Sequence, residues 1–274
     1  MKGAVTAEPA IRRMTGAIGA EVAGVSLAGA DAALVERLRA AVLAHRVVAV
    51  GGQFLEPEQQ IAFGLKLGPC MTIRGLASNL PWPELFQIAN LGKANTAGEM
   101  WHTDGITMER PPSFSILAAH VLPETGGDTL FADMGHAWQT LSPAYRRLLR
   151  GLRGRHRAQR LAAVNPEDML HPLVRTIPET GERVLYPGVA HIVVGIDGMT
   201  PAESRSLLDF LFAHAMRPDG MYRHRWQPGD VLIWDNRATM HYAVHDHGDA
   251  QRDLVRMMIA GERPFEAPYS RGED

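Results

Sequence analysis

The sequence predicts a mainly β domain of the sandwich or jelly-roll type with peripheral helices. Six short segments are rich in β-branched and aromatic residues and are bounded by Gly, Pro or Asp, as strands are. Four helical segments lie among them, and many short strands with intervening turns favour a sandwich or jelly roll. Glycine and proline are scattered rather than gathered into a linker, and 274 residues is an ordinary size for one such domain. We therefore expect a single domain over residues 1–274.

The predicted helices carry residues that favour helix starts and ends. In residues 200–215, Thr200 caps the helix, Pro201 opens it and Glu203 completes a capping box. Asp31 is placed to cap another helix in the same way. The remaining helical segments are 31–46, 56–68 and 142–151, and the strand segments are 47–52, 113–121, 128–133, 183–188, 229–236 and 253–261.

Composition excludes several classes of function. The formal net charge of −2 gives no broad basic surface for nucleic acid. The single cysteine, Cys70, excludes an internal disulfide, and we expect it to be a buried small residue rather than a nucleophile. No stretch reaches the roughly 18 apolar residues of a membrane span, and the N-terminus has no apolar run typical of a signal peptide. We therefore expect a cytoplasmic protein that binds neither nucleic acid nor membranes.

The stretch MWHTDGITMERPP, residues 100–112, contains two candidate metal ligands. On an extended segment His102 and Asp104 point to the same face and can reach one ion, and a glycine then lets the chain turn away. This spacing alone is weak evidence, because such a triplet arises by chance and occurs again at His247 and Asp249. A third ligand must come from elsewhere in the chain.

Residues 229–264 supply the missing groups. His241 follows a strand-like run, and Arg252 is placed to return on the next strand. Two imidazoles and one carboxylate leave three positions open on a metal, which is typical of non-haem Fe(II) oxygenases. Such an iron binds a keto acid through two oxygens, and the planar fork of an arginine fits the far carboxylate of that acid. These residues therefore indicate an iron-dependent oxygenase.

A rival metal site is open at this point. His241, His245 and His247 could instead bind a metal as in cupins, because two histidines two residues apart are also typical metal ligands. The run HDHGD is polar and contains glycine, which favours a solvated loop. We interpret the remaining candidates as structural or surface histidines; they are His171, His191 and His214.

Four long motifs, in order along nearly the whole chain, match a known family. They cover residues 101–134, 171–186, 198–215 and 234–243. With these motifs the chain resembles the taurine dioxygenase family, whose members are Fe(II)- and 2-oxoglutarate-dependent oxygenases. The resemblance implies the fold of that family, a double-stranded β-helix, which is a form of jelly roll.

The resemblance also implies roles for individual residues. Iron would be bound by His102, Asp104 and His241. Thr129 matches the threonine that hydrogen-bonds 2-oxoglutarate, and Arg252 matches the arginine that forms a salt bridge with its distal carboxylate. We therefore expect Fe(II), 2-oxoglutarate and O2 to meet at these five residues.

One further arginine and one short motif have expected roles around these residues. Arg256 matches a second arginine that contacts an anionic substrate in some members of the family, and a plain structural or surface role is also open. Trp234, Asp235 and Asn236 are expected to support the strand end behind the iron rather than to react. Arg252 and Arg256 would face the same side of a strand, which agrees with a shared pocket.

The activity implied by the resemblance is hydroxylation of an aliphatic C–H bond of a small anionic substrate. It is coupled to decarboxylation of 2-oxoglutarate and releases succinate and CO2. If the hydroxylated carbon bears a sulfonate, ether or sulfate ester, the product falls apart and the net reaction is cleavage. Because halogenating relatives replace the carboxylate ligand, Asp104 favours hydroxylation over halogenation, and desaturation stays open. By analogy with the family, we expect a homodimer or homotetramer.

The chain departs from the family pattern in ways that bear on the substrate. Residues 68–81 lack the histidine of taurine-specific enzymes, which disfavours taurine. The lid segment 152–170 is shorter than in relatives, and residues 186–190 interrupt a strand, so we expect a reshaped pocket mouth. An organic sulfonate, an aryloxyalkanoate and a secondary-metabolite intermediate are all open as substrates. The alternative function is a catalytically silent jelly roll that binds iron or 2-oxoglutarate.

Overall fold

The computed structural model describes residues 10–72, 80–90, 98–157 and 168–270, which contain fifteen strands and five α-helices. The largest sheet, here called the major sheet, has seven strands in the spatial order β1-β2-β3-β13-β5-β15-β4. Numbered in chain order, its strands are β1 Ala10–Arg13, β2 Ala20–Ala23, β3 Val47–Val50, β4 Leu85–Ala89, β5 Phe114–Val121, β13 Val231–Asp235 and β15 Asp253–Ile259.

A smaller sheet, here called the minor sheet, packs against one face of the major sheet. Its spatial order is β12-β6-β14, and all its pairs are antiparallel. The ring of Phe131 in the minor sheet lies 5.6 Å from that of Trp234 in the major sheet. The remaining strands form two small sheets beside it. The bounds are β6 Thr129–Asp133, β7 Arg153–His156, β8 Met169–Pro172, β9 Val174–Thr176, β10 Arg183–Leu185, β11 Val193–Ile196, β12 Met221–His224 and β14 Thr239–Ala243.

Five α-helices are present among the described residues, and they lie on the outer faces of the two sheets. Four were predicted, and each carries the expected terminal signal, such as the capping box of Thr200 and Glu203. The fifth is only six residues long, too short to show helical periodicity, and is capped by the side chain of Asp133. Their bounds are α1 Ala32–His45, α2 Pro57–Leu67, α3 Met134–Gln139, α4 Pro143–Leu149 and α5 Pro201–Ala215.

The alternation of side chains along the strands explains the layers. In β13, Val231 and Ile233 pack in the cluster that also contains α1 and α2, whereas Leu232 and Trp234 point toward the minor sheet. The strand is therefore apolar on both faces and reads as a continuous hydrophobic run. On the far side of the minor sheet, α3 and α5 cover residues such as Met240. The structure is thus a β-sandwich with helices outside, as predicted.

Several expectations from the sequence can be compared directly with this architecture. The six predicted strand segments correspond to β3, β5, β6, β10, β13 and β15, but the other nine strands of three to five residues were not predicted. Cys70 is half-buried rather than buried, and burial raises the pKa of its thiol to about 11, which agrees with the expectation that it is not a nucleophile. No helix among the described residues is long and apolar enough to cross a membrane.

Two buried histidines lie close together in the neighbouring strands β7 and β8. The rings of His156 and His171 lie 5.7 Å apart, and both residues are 1% exposed. His171 Nε2 lies 2.9 Å from the carbonyl oxygen of Met108, whereas neither ring nitrogen of His156 has a hydrogen-bond partner among the described residues. Burial, together with the neighbouring His171, lowers the pKa of His156 to about 3. Burial likewise lowers the pKa of His171 to about 4, so both rings are neutral in the folded protein.

This pair should make the protein less stable at mildly acidic pH. Histidines in an unfolded chain have a pKa near 6.5, so below that pH the unfolded chain binds protons that the folded chain does not bind. The free energy of unfolding should fall by about 2 kcal/mol per buried histidine between pH 7 and pH 5. Urea unfolding at these pH values should show a weaker pH dependence in His156→Leu than in the wild type. The control is His120→Gln, because His120 is exposed, and it should leave the pH dependence of the free energy of unfolding unchanged. The same pH dependence in His156→Leu and in the wild type would contradict the assignment.

Candidate metal centre and active site

Two histidines from distant parts of the chain face each other across a backbone bridge. The N–H of His102 donates to the carbonyl oxygen of His241 at 3.0 Å, and the reverse bond is 2.8 Å long. His241 lies within β14, opposite Phe131 of β6, so the bridge adds residue 102 to the edge of the minor sheet. The two imidazole rings are 4.0 Å apart between centroids. The predicted extended segment is therefore reduced to this single bridge.

The third ligand, Asp104, lies in the turn that follows the bridge. Its Oδ1 is 3.7 Å from His102 Nε2, and its Oδ2 is 3.8 Å from His241 Nε2. Gly105 has a φ of +68°, and a Cβ there would meet the Pro112 ring at 2.7 Å, so the turn requires glycine. The three side chains offer ligand atoms within 4.8 Å of one another, which fits one bound ion.

The rival histidine cluster does not form. Among the residues that the structure describes, the group of His102, Asp104 and His241 is the one assembled for a metal. His245 and His247 lie in an irregular segment after β14, and His245 Nδ1 is 3.0 Å from the carboxylate of Glu99. The alternative based on His241, His245 and His247 is therefore wrong.

The side-chain amide of Asn236 holds the turn that carries Asp104. The N–H of Asp104 donates to Asn236 Oδ1 at 2.9 Å, and Asn236 Nδ2 donates to the carbonyl oxygens of Asp104 and Pro112 at 3.1 and 3.0 Å. Asn236 is fully buried directly after β13. Because the amide satisfies both ends of the turn, it fixes the backbone from which the carboxylate projects. These bonds agree with the supporting role expected for Asn236.

Arg256 is bonded to the carboxylate ligand. Its Nη1 donates to Asp104 Oδ1 at 2.8 Å, and its side chain is mostly buried on the inner face of β15. Burial alone would raise the pKa of Asp104, but Arg256 and the two histidines hold that pKa well below its usual range. Burial, with His102 beside it, holds the pKa of His241 below its usual range. The carboxylate is thus ionised and the His241 imidazole neutral, the forms that bind a metal.

A second buried arginine, Arg252, lies next to Thr129. Its Nε donates to the carbonyl oxygen of Gly127 at 2.8 Å, and its Nη2 donates to Thr129 Oγ1 at 3.4 Å. Among the described residues no carboxylate forms an ion pair with Arg252; the nearby Asp128 pairs with Arg223 at 2.6 Å. Burial lowers the pKa of Arg252 to about 10, which leaves it charged at neutral pH. A buried cation without an acidic partner favours an anionic ligand.

A cavity of about 190 Å³ opens beside His102 and Asp104. Its apolar lining includes Ile106, Val189 and Ile192, and the exposed His191 lies beside them. Sequence reasoning treated His191 as structural or surface and gave it no place in the pocket. It lies in an irregular segment between β10 and β11, where no spacing pattern could have revealed it. Residues 73–79 and 158–167, which belong to the predicted departures at 68–81 and 152–170, lie outside the described residues.

Comparison with known proteins gives consistent matches. The sequence profile described as "Taurine catabolism dioxygenase TauD, TfdA family" matches residues 10–258. An alpha-ketoglutarate-dependent sulfate ester dioxygenase of Pseudomonas putida is 35% identical and covers 93% of this chain and 90% of its own length. An alpha-ketoglutarate-dependent 2,4-dichlorophenoxyacetate dioxygenase of a Burkholderia species is 33% identical, with 79% and 82% covered. The crystal structure of a taurine dioxygenase from Burkholderia xenovorans has a TM-score of 0.83 at 38% identity, with 93% and 92% covered.

Removing the Asn236 amide should lower the affinity of the protein for Fe(II). In Asn236→Ala the turn loses the three hydrogen bonds that orient Asp104, so affinity for Fe(II) should fall by roughly 10-fold to 100-fold. Anaerobic Fe(II) titration measures this change. Gln53→Ala is the matched control, because Gln53 also joins backbone groups through its amide, but far from the ligands. The same Fe(II) affinity in Asn236→Ala and Gln53→Ala would contradict the assigned role.

Proposed function

The chain belongs to the TauD/TfdA dioxygenase family, and from this premise we propose an Fe(II)- and 2-oxoglutarate-dependent dioxygenase that hydroxylates an aliphatic C–H bond. Succinate and CO2 are the co-products. The jelly-roll fold predicted from the sequence is that of its structural relatives and is confirmed. The observation that carries the proposal is a His-Asp-His group together with a buried arginine that forms no ion pair with an acid among the described residues. The former suits a metal with open positions, and the latter suits the carboxylate of a keto acid.

His102, Asp104 and His241 would hold the iron. The donor set of two imidazoles and one carboxylate fits Fe(II), and three protein ligands leave room for a bidentate keto acid and O2. Iron bound there would supply the activation of O2. Arg256 keeps the carboxylate charged and turned toward the histidines. Because Asp104 is present as a ligand, hydroxylation is favoured over halogenation.

Arg252 and Thr129 would hold the co-substrate. Arg252 offers a charged guanidinium, and the hydroxyl of Thr129 lies within 3.4 Å of it. Thr129 lies on β6, two residues before Phe131, and Phe131 pairs with His241 on the neighbouring strand β14. The minor sheet therefore connects the proposed carboxylate site to the proposed metal site through a fixed register.

The substrate is proposed to be a small anion with an apolar body. The cavity wall of Ile106, Val189 and Ile192 would take the apolar part. Arg256 is the proposed anion contact, since its Nε is buried and has no hydrogen-bond partner among the described residues. The related sulfate ester dioxygenase and 2,4-dichlorophenoxyacetate dioxygenase are named for substrates of this kind. Hydroxylation next to such an ester or ether oxygen would release the oxygen-bearing group.

The alternative of a catalytically silent binding module finds no support, because the relatives that cover most of the chain are named as dioxygenases. We further propose that residues 1–274 form one domain and that the protein is a homodimer or homotetramer. Light scattering on the purified chain measures the oligomeric state. The cytoplasmic location stays a prediction.

Anaerobic titration should reveal the assembled cofactor site. Fe(II) and 2-oxoglutarate together should give the wild type a weak visible charge-transfer band. His102→Ala should abolish the band because it removes a ligand, and Arg252→Gln should raise the 2-oxoglutarate concentration needed by about 100-fold. Arg205→Gln, which removes an exposed arginine paired with Asp209, is the control and should behave as the wild type. If the wild-type protein binds Fe(II) but shows no charge-transfer band with 2-oxoglutarate, the proposal is wrong.

Substrate preference should depend on negative charge. Succinate release above the substrate-free rate is expected with alkyl sulfate esters or aryloxyalkanoates and at least about 10-fold less with the matching uncharged alcohols. Arg256→Lys should keep part of this preference, whereas Arg256→Met should lose it and also weaken Fe(II) binding by about 10-fold. Equal rates for charged and uncharged analogues in the wild type would show that the substrate is not selected as an anion.

A further inference from the structure

The hydroxyl of Thr129 receives hydrogen bonds from two groups that can only donate. Trp226 Nε1 donates to Thr129 Oγ1 at 3.0 Å, and Arg252 Nη2 donates to the same oxygen at 3.4 Å. An indole and a guanidinium have no acceptor, so neither can take the hydrogen of the hydroxyl. Thr129 has no acceptor for that hydrogen among the described residues, although its side chain is buried. The hydroxyl hydrogen is therefore available to a ligand.

The position of Trp226 is fixed by its surroundings. Its ring stands at 86° to the ring of His224, with 4.8 Å between centroids. His224 is itself held on both sides, because its Nε2 lies 3.0 Å from the Asp230 carboxylate and its Nδ1 lies 2.8 Å from the Tyr222 hydroxyl. In the minor sheet His224 pairs directly with Thr129. The indole N–H thus approaches Thr129 from a rigid, buried neighbour.

We propose that Trp226 is a positioning residue for the co-substrate, because its indole N–H occupies one lone pair of Thr129 Oγ1 and thereby turns the hydroxyl hydrogen toward the carboxylate bound by Arg252. A threonine hydroxyl has one hydrogen and two lone pairs at roughly tetrahedral directions. When donors fill both lone pairs, the remaining direction belongs to the hydrogen. The inference rests on the proposed function, since it takes Arg252 and Thr129 as the 2-oxoglutarate site.

This arrangement prepares the site before the ligand arrives. Without the indole, the hydroxyl could rotate and present a lone pair to the incoming carboxylate, which would repel it. With the indole in place, the hydroxyl can act only as a donor in that direction. Trp226 would then act on 2-oxoglutarate through Thr129, without touching the metal ligands. This indirect action can be separated from a purely structural role.

A double-mutant cycle tests the coupling. The dissociation constant for 2-oxoglutarate is measured by anaerobic titration of the Fe(II)-loaded protein for the wild type, Trp226→Phe, Thr129→Val and the double variant. Trp226→Phe keeps an aromatic ring but removes the donor, and it should weaken binding roughly 2-fold to 10-fold. In the Thr129→Val background the same change should have no further effect. Effects of the two changes that simply multiply, or no effect of Trp226→Phe alone, would overturn the inference.

Further variants separate the possible causes. Thr129→Ser keeps the hydroxyl and should restore the sensitivity to Trp226→Phe. Trp82→Phe is the matched control, because Trp82 also donates its indole N–H, to Glu58 far from the site, and its loss should leave 2-oxoglutarate affinity unchanged. If Arg252→Gln does not weaken 2-oxoglutarate binding, the co-substrate site itself is misassigned. If Arg252→Gln weakens binding but Trp226→Phe does not, only the role of Trp226 fails.

A second measurement does not require Trp226 to be replaced. The chain has five tryptophans, so the indole N–H groups give a simple nitrogen-labelled NMR spectrum. In Thr129→Val the Trp226 indole loses its acceptor, and its proton signal should move and exchange faster with solvent. Adding 2-oxoglutarate to the Zn(II)-loaded wild type should shift the same signal. An indole signal that responds to neither change would overturn the proposal even if Trp226→Phe fails to fold.

Discussion

Two hydrogen bonds between the main chains of His102 and His241 join the turn that carries Asp104 to the edge of the minor sheet. The placement of the three candidate metal ligands depends on this bridge. It brings together side chains that lie far apart in sequence, and it leaves their orientation to the rigid pairing of β14 with β6. Asn236 then fixes the turn from the other side, so that the carboxylate approaches both imidazoles. The ligands are therefore positioned by backbone geometry rather than by contacts among themselves.

Two arginines show how buried charge is distributed: Arg256 lies in β15, and Arg252 directly precedes that strand. Arg256 is neutralised inside the protein by Asp104. Arg252 has a carbonyl and a hydroxyl as partners but no acid among the described residues. Burying an ion is costly unless an opposite charge is close. The charge of Arg256 is thus balanced within the protein, whereas the charge of Arg252 would be balanced by the proposed co-substrate.

Local sequence signals predicted the elements that depend on local physics. Caps and prolines located four helices, and strands such as β5 and β13 were recognisable because they are apolar and several residues long. The short strands β12 and β14 were missed because their pairing with β6 is decided by tertiary contacts. For the same reason the sequence did not reveal that Arg256 bonds Asp104 or that Trp226 bonds Thr129. The metal triad was proposed from spacing and family resemblance, and the structure brings its members together.

The lack of an acidic partner for Arg252 among the described residues would also affect how long the folded chain survives. A ligand that binds only the folded state adds to the free energy of unfolding, by about 2.7 kcal/mol when its concentration is 100 times its dissociation constant. If 2-oxoglutarate binds at Arg252 as proposed, it would lower the fraction of molecules that are open to proteolysis at any moment. The abundance of the protein in a cell would then rise and fall with the supply of its keto acid, without any change in synthesis.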